Sequence, residues 1–503
     1  MAKILFINPV IRQEDNPKHI SYGIAQLVAL VVKEGHLVQV FDANAWRPTD
    51  RELNDVIAAD SWDVVATGGL VTTYGYIKKT VRITREICPN ALIIVGGGVI
   101  TPIPHDIMRF LPEVDIGVIG EGYITFLELL KQVNENDRNW KKIKGIIYRD
   151  NEQGLQLTGE RPLLDDVNTL PLPAWDMFPM DIYFQNSSLL LSEEAMVAKR
   201  HMDVVASYGC PYKCKFCFHL GLSGEIAIVG EDSYKEVSIT AKRRVRHHNP
   251  QYVVDMVKDA KERFDIDFIS FLDENFAALA RKTKWFDEFE ELWMKAGLQP
   301  RCIKEKIPHD PETCNGVHWG AMAHAAVVNL EILKRFKRLG CSYLDYGLES
   351  FSDDILKTIC KGAKVKDNEN AVLTTLKAGI RPIPNQIIGF PDESFSSILA
   401  NIDAWQRLGI QSFPFFATPY PGCDWYFQFK DRILEQYKGN LEDFLLDLGD
   451  ATKITAVISN NFTAVELIGL RELMVNRDIK RIEEHEKSVK KHTRFHVARG
   501  KGH

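Results

Sequence analysis

What the sequence lacks narrows its class first. No stretch approaches the roughly 20 apolar residues of a membrane span, and the opening MAKILFINPV is too short an apolar run for a signal-peptide core. The expectation is a cytoplasmic protein with no membrane partner. Charge of one sign is not in surplus either: 62 Lys and Arg face 68 Asp and Glu, so no global field draws nucleic acid. There is no sign of a disulfide framework, since the nine cysteines are odd in number and only three lie close together, which fits thiols or metal ligands in a reducing compartment. Finally, no GxGxxG follows the first apolar segment, which argues against a nicotinamide or flavin dinucleotide.

What is present is the composition of a large globular protein. Of 503 residues, 45% are hydrophobic and 26% charged, enough at roughly 150 residues per domain for about three domains. From the first residue, apolar strands alternate with amphipathic helices: strands at 3–8, 37–42, 63–67, 91–95 and 114–122, helices near 23–34 and 76–88. Apolar strands separated by helices imply a doubly wound parallel sheet, assigned to residues 1–138. Such sheets bind ligands at the carboxyl ends of their strands, and here those ends carry Thr67-Gly68-Gly69, Gly96-Gly97-Gly98 and Gly120-Glu121-Gly122.

Residues 139–200 read as a linker with a small hairpin and a proline-punctuated crossing segment, DDVNTLPLPAWDMFP. Strand and helix then alternate again over 201–425, with strands expected at 202–207, 267–273, 318–327, 343–347, 383–390 and 412–418. Six βα units make a partial barrel, open on one side. Residues 426–503 read as a helical C-terminal region whose Lys and Arg excess, ten against five Asp and Glu from Arg471 onward, fits a solvated helix face. The fold class is α/β.

The strongest chemical signal is SYGCPYKCKFCFHLG, with Cys210, Cys214 and Cys217 spaced CxxxCxxC directly after the first barrel strand. Thiolates serve iron–sulfur clusters and structural zinc alike. Structural zinc needs a closed set of four, and His219 sits poorly to close it. Three thiolates suit a 4Fe-4S cluster with one open iron.

These cysteines resemble those of the radical S-adenosylmethionine enzymes, and four further strand ends agree in order: FLDENF (Asp273, Glu274, Asn275), YGLES, IIGFPDES and PYPG. The N-terminal sheet and the LPLPAWD segment extend the resemblance to the cobalamin-binding branch, over residues 1 to about 430. The resemblance implies a 4Fe-4S cluster on Cys210, Cys214 and Cys217, S-adenosylmethionine and cobalamin as cofactors, and a one-electron donor such as a ferredoxin or flavodoxin. It implies S-adenosylmethionine contacts at Phe216, Gly347, Glu349, Ser350 and Gly389, and cobalamin contacts at Gly68, Leu70, Val71, Gly97, Gly98, Val99, Gly120 and Glu121. Taken alone, Glu349 reads equally well as a partner for the following helix turn.

Two departures stand out. No DxHxxG occurs, so the lower cobalt face is expected to be apolar or weak, near Leu70 to Tyr74. Tyr208 stands where many relatives have arginine. The stretch 299–324 gathers Cys302, His309, Cys314, His318 and His324; a second metal site is one reading, although the spacing fits no zinc template. His318 and His324 share one strand face, and with Tyr346 and Asn385 they are candidate substrate contacts or core residues. No catalytic side chain is assigned.

The expected activity is a cobalamin-dependent radical methyltransferase acting on an unactivated carbon, of a peptide or protein. The whole chain is similar to the enzymes that C-methylate glutamine in methyl-coenzyme M reductase. The alternatives are a radical cyclase or other non-methylating enzyme on a tetrapyrrole or small molecule, and a corrinoid and iron–sulfur binding protein without turnover.

Overall fold

The computed structural model describes residues 1–218, 226–231, 234–239 and 244–499. His219 lies outside the described residues. Strands β1 (Lys3–Asn8), β2 (Leu37–Asp42), β3 (Val64–Gly68), β4 (Leu92–Gly96) and β5 (Ile116–Val118) form a parallel sheet in the order 2-1-3-4-5. Burial along nearly all of β1 and β3 explains why these strands read as unbroken apolar runs: helices cover both faces. The Tyr22–Lys33 and Tyr123–Glu135 helices share one core with β1, where Phe6 meets Phe126 at 5.4 Å, while Asp50–Ala58 and Tyr74–Ile87 take the other side.

The hairpin read as part of a linker belongs to this sheet. Strands β6 (Ile146–Asp150) and β7 (Gly154–Leu157) pair antiparallel onto β5 and extend it to seven strands. Val114–Ile119 has spare backbone groups on its outer edge, and the hairpin satisfies them. After it the chain returns over the first helix, anchored by the buried Trp175 and by the Ala174 N–H donating to the Ala25 carbonyl.

The second sheet contains β8 (His201–Val204), β13 (Phe268–Phe271), β14 (His318–Ala323), β15 (Cys341–Glu349), β16 (Arg381–Ile388) and β17 (Phe415–Phe416), all parallel and in sequential order. Sequential parallel neighbours with outer helices give a six-stranded half-barrel. The chain between its first two strands adds β9 (Ser207–Tyr208), paired with β12 (Arg246–His247), and a β10 (Ile226–Glu231) to β11 (Tyr234–Ile239) hairpin. That hairpin crosses to the N-terminal sheet, where the His105 ring is 2.6 Å from the Lys235 carbonyl and the Ile228 N–H donates to Glu160.

Alternation along the half-barrel strands sorts their side chains. On β15, Tyr346 turns outward to the helix Val365–Lys377, where its hydroxyl meets Thr375 at 2.8 Å, while Tyr343 and Asp345 turn into the lumen. The C-terminal helices close the assembly: Leu441–Asp447 lies against Tyr74–Ile87, with Glu442 bonded to Tyr74 and Lys78, and Ala464–Val475 packs Leu467 under Gly389. Among the described residues, no helix is long and apolar enough to cross a membrane.

Candidate functional site

The carboxyl ends of both sheets meet, and the site is built from the loops between them. The cysteine loop leaves β9 at Gly209, whose φ of +93° is a left-handed turn that favours glycine. Its N–H donates to Glu274, while Asp273 accepts from the Ala206 N–H at 3.0 Å and from the Ser207 hydroxyl. Asn275 accepts from the His324 N–H at 3.2 Å. The acidic strand end FLDEN therefore holds the ends of the first and third barrel strands, and burial pushes the Asp273 carboxyl up to about 7.

Cys214 is buried, Cys210 and Cys217 are half-buried, and none of the nine cysteines is in a disulfide. The Cys217 N–H donates to the Cys214 carbonyl, a tight turn that keeps the two thiols in one loop. The segment 359–362 closes over this loop: the Lys215 N–H donates to the Ile359 carbonyl, and the Cys214 Sγ lies 4.0 Å from the Lys361 carbonyl. Tyr212 stacks flat on His324 at 3.6 Å, and a side chain at Gly362 would strike the Tyr212 ring at 2.7 Å.

Lys361 is the residue that sequence reading missed. Its ammonium pairs with Glu349 at 2.9 Å, with both side chains under 9% exposed, and sits 5.6 Å from the Phe216 ring centroid. Burial pushes the Cys214 thiol up to about 11, and the Lys361 charge acts in the opposite direction, favouring thiolate. A buried cation beside thiol ligands suits a cluster that carries negative charge. Glu349 has φ of +62°, strained for a residue with a side chain, and a Cβ at Gly347 would press on the Glu349 carboxylate and the Lys361 ammonium and shift their pairing. The only sequence signal for Lys361 was a lysine before a glycine; the pairing itself is long-range.

The other expected residues divide. Phe216 is half-buried, 5.8 Å from Trp425, and Gly389 is buried with φ of +94° at the end of β16, its N–H donating to Glu393. Ser350 is turned away: its hydroxyl bonds Asn401 at 3.3 Å on the Phe395–Leu408 helix. His324 is held at both ring nitrogens, by the Lys361 carbonyl at 2.8 Å and the Ala326 N–H at 3.3 Å, so it positions the cysteine loop. His318 shares a strand face with His324 but starts β14, at the opposite end of the half-barrel, so the reading of it as a candidate substrate contact is corrected. Tyr346 faces outward, which removes it too. Asn385 remains in the lumen, donating to Asp345, and Met322, opposite Asp345 on β14, is 37% exposed.

Deeper in the lumen runs a polar line the sequence reading did not identify. His19 contacts Asp203 at 2.8 Å, His201 contacts Ser270 at 2.9 Å, and Ser270 contacts the Tyr343 hydroxyl at 2.7 Å. His19 comes from the N-terminal domain, so the two domains share this network.

On the other sheet, the glycine ends form a close cradle. A Cβ at Gly68 would lie 2.5 Å from the Gly96 carbonyl oxygen, and Gly97, with φ of +85°, passes so near Gly69 that a Cβ would lie 2.9 Å from its carbonyl oxygen. Gly98, Val71 and Val99 are buried within this cradle, and Leu70 is 37% exposed at its rim. Gly120 has φ of +72°, and a Cβ there would lie 3.4 Å from Ile226 of the crossing hairpin. Glu121 is engaged elsewhere, accepting from Arg246 at 2.8 Å and from the Leu164 N–H at 2.6 Å, and so ties the barrel to the linker. Backbone cradles that exclude side chains fit a large planar ligand approaching the sheet edge.

The two sets of loops touch. A Cβ at Gly422, on the sixth strand end, would lie 3.2 Å from Pro102 of the loop after β4 and 3.6 Å from the Phe218 carbonyl of the cysteine loop.

Comparison with known proteins agrees with this geometry. The Radical SAM superfamily profile matches residues 204–404, and the B12 binding domain profile matches residues 10–130. An uncharacterized methyltransferase of Pyrococcus horikoshii is 27% identical over 414 residues, 82% of this chain and 79% of that protein. An anaerobic magnesium-protoporphyrin IX monomethyl ester cyclase of Synechocystis is 23% identical, over 80% of this chain and 72% of its own. Among solved structures, the radical S-adenosylmethionine methyltransferase TsrM of Kitasatospora setae superposes with a TM-score of 0.63 at 16% identity, covering 86% of this chain and 77% of that one. The cofactors are a 4Fe-4S cluster, S-adenosylmethionine and cobalamin. The chain therefore carries a Radical SAM domain over residues 204–404 with a B12-binding domain ahead of it over residues 10–130.

Proposed function

We propose that this protein is a methyltransferase that places a methyl group on a carbon atom of its substrate. The observation that carries the reading is the close approach of Gly422, at the sixth strand end, to both Pro102 of the loop after β4 and Phe218 of the cysteine loop, which brings the two sets of cofactor-binding loops together. When bound, the cluster with S-adenosylmethionine supplies radical chemistry, and cobalamin supplies a methyl group. The chain's own residues hold and orient. Cys210, Cys214 and Cys217 are the cluster ligands; Lys361 neutralises charge beside them and fixes Glu349 for the amino acid part of S-adenosylmethionine, with Phe216, Gly347 and Gly389 lining the same side. Gly68, Leu70, Val71, Gly97, Gly98, Val99 and Gly120 form the cobalamin bed.

The half-barrel lumen takes the substrate, with Asp345 and Asn385 gripping a polar group. A peptide loop enters such an open mouth, and its amides match the Asp345 and Asn385 pair; the sharp form is the glutamine of methyl-coenzyme M reductase. Turnover needs an external one-electron donor of ferredoxin or flavodoxin type, available in a cytoplasmic setting. The test is an anaerobic incubation with S-adenosylmethionine, methylcobalamin, reductant and that peptide. Coupled formation of 5'-deoxyadenosine, S-adenosylhomocysteine and a peptide heavier by one methylene is expected. If a tetrapyrrole is cyclised without S-adenosylhomocysteine, the methyltransferase reading fails in favour of the cyclase reading that the Synechocystis relative suggests.

A further inference from the structure

At the amino end of β14, far from the cysteine loop, four side chains of the 299–318 connection converge. Ligand atoms of Cys302, His309, Cys314 and His318 all lie within 4.8 Å of one another. We infer that these four residues form a closed tetrahedral zinc site that pins the entry to the third barrel strand. In a tetrahedron with zinc–sulfur bonds of about 2.3 Å and zinc–nitrogen bonds of about 2.0–2.1 Å, sulfur and nitrogen ligands stand about 3.6 Å apart. The Cys302 Sγ is 3.3 Å from the His318 Nε2 and 3.8 Å from the His309 Nδ1, on either side of that separation.

The supporting contacts are those a metal site needs. The His318 Nδ1 is 3.3 Å from the Gly340 carbonyl, so Nδ1–H donates there and Nε2 is left with its lone pair toward the cluster. The Cys302 N–H points to the Cys314 Sγ at 3.5 Å, a donor that stabilises thiolate. The loop is shaped to return: the Arg301 N–H donates to the Asn315 carbonyl at 2.8 Å, the Cys314 N–H donates to the Asp310 carbonyl at 2.8 Å, and Gly316 has φ of +101° with Gln299 so close that a Cβ would lie 2.6 Å from its carbonyl oxygen. Cys302 and His318 are buried, and His309 and Cys314 are half-buried. Binding displaces two thiol protons to solvent and leaves two thiolates, two neutral imidazoles and one divalent ion, a site of zero net charge suited to that depth. Four protein ligands leave no open position, so the ion is structural. His318 begins β14 and His324 directly follows its last residue, six residues on and about 20 Å away at 3.3 Å per residue, which keeps this site separate from the cluster.

The experiment uses the full chain, produced in zinc-replete medium and analysed for metals. One zinc per chain is expected in addition to the cluster iron. The combined change of Cys210, Cys214 and Cys217 to Ala should abolish the iron and keep the zinc, whereas Cys314→Ser with His309→Ala, both at half-buried positions, should lose the zinc and keep the iron. Cobalt(II) added to the zinc-free chain should give tetrahedral ligand-field bands and a thiolate charge-transfer band that is lost in Cys314→Ser. Full cluster content with no zinc bound or taken up, zinc retained in the double variant, or a Cys302–Cys314 disulfide in the isolated protein would each overturn the assignment.

Discussion

The two ends of β14 hold two cysteine groups of different kinds. At the carboxyl end, His324 braces a loop whose three thiols lie within residues 210–217, and the segment 359–362 brings a buried cation beside them. At the amino end, His318 joins a set drawn from residues 302–318 in which every ligand position is filled by the protein. An incomplete ligand set beside a charge suits reactive chemistry, and a complete one suits architecture. The same strand face thus serves both, because its two ends open on opposite sides of the half-barrel.

Perturbations should separate the two ends. The largest effect is expected from Cys210, Cys214 and Cys217 all changed to Ala: no S-adenosylmethionine cleavage at all, read as 5'-deoxyadenosine, with unchanged zinc. Residual cleavage would show that the reactive end has been misassigned. Next is Lys361→Met, which leaves the Glu349 carboxylate buried without its partner. Breaking a buried pair from one side costs about 3–5 kcal/mol. Denaturant unfolding should register that loss, and Lys361→Met with Glu349→Gln should recover part of it; no recovery would mean the pair is not coupled.

A smaller effect is expected at the other sheet. Gly97→Ala forces a side chain into a left-handed turn, at about 1–2 kcal/mol, and toward the Gly69 carbonyl. Cobalamin retention on gel filtration should fall while iron content stays level, and equal loss of both would mean the cradle and the cluster loop fold as one.

The smallest is a pH effect in the lumen. Burial, reinforced by the Glu349 charge and partly offset by Asn385, pushes the Asp345 carboxyl from 3.8 up to about 7. The folded protein therefore holds this proton more tightly than the unfolded chain does. Its contribution to stability is full below about pH 4 and is lost as the pH rises toward 7. Asp345→Asn should flatten the fall in melting temperature across that window without removing it, because Asp273 and Glu393 are also pushed up to about 7 by burial. An unchanged slope would mean that Asp345 is already ionised in the folded state.

Sequence alone determined the parts that rest on short spacing and local period. The apolar runs of β1 and β3 announce buried parallel strands because both of their faces are covered. CxxxCxxC announces a shared ligand because three thiols in one short loop can converge whatever surrounds them. Tertiary structure alone decided what depends on residues far apart in the chain. Lys361 reaches Glu349 because a loop between two helices folds back over β15, and β6 and β7 join the first sheet because β5 offers an open edge. Tyr346 and His318 could not be assigned from the strand pattern: period two says which residues share a face, but not which face meets the lumen or which end meets the site. The ligands of the second cluster match no sequence template, since their convergence comes from the return of the 299–317 loop onto the first residue of β14. Loop closure of that kind is fixed by packing and backbone hydrogen bonds, which leave little trace in the order of the residues themselves.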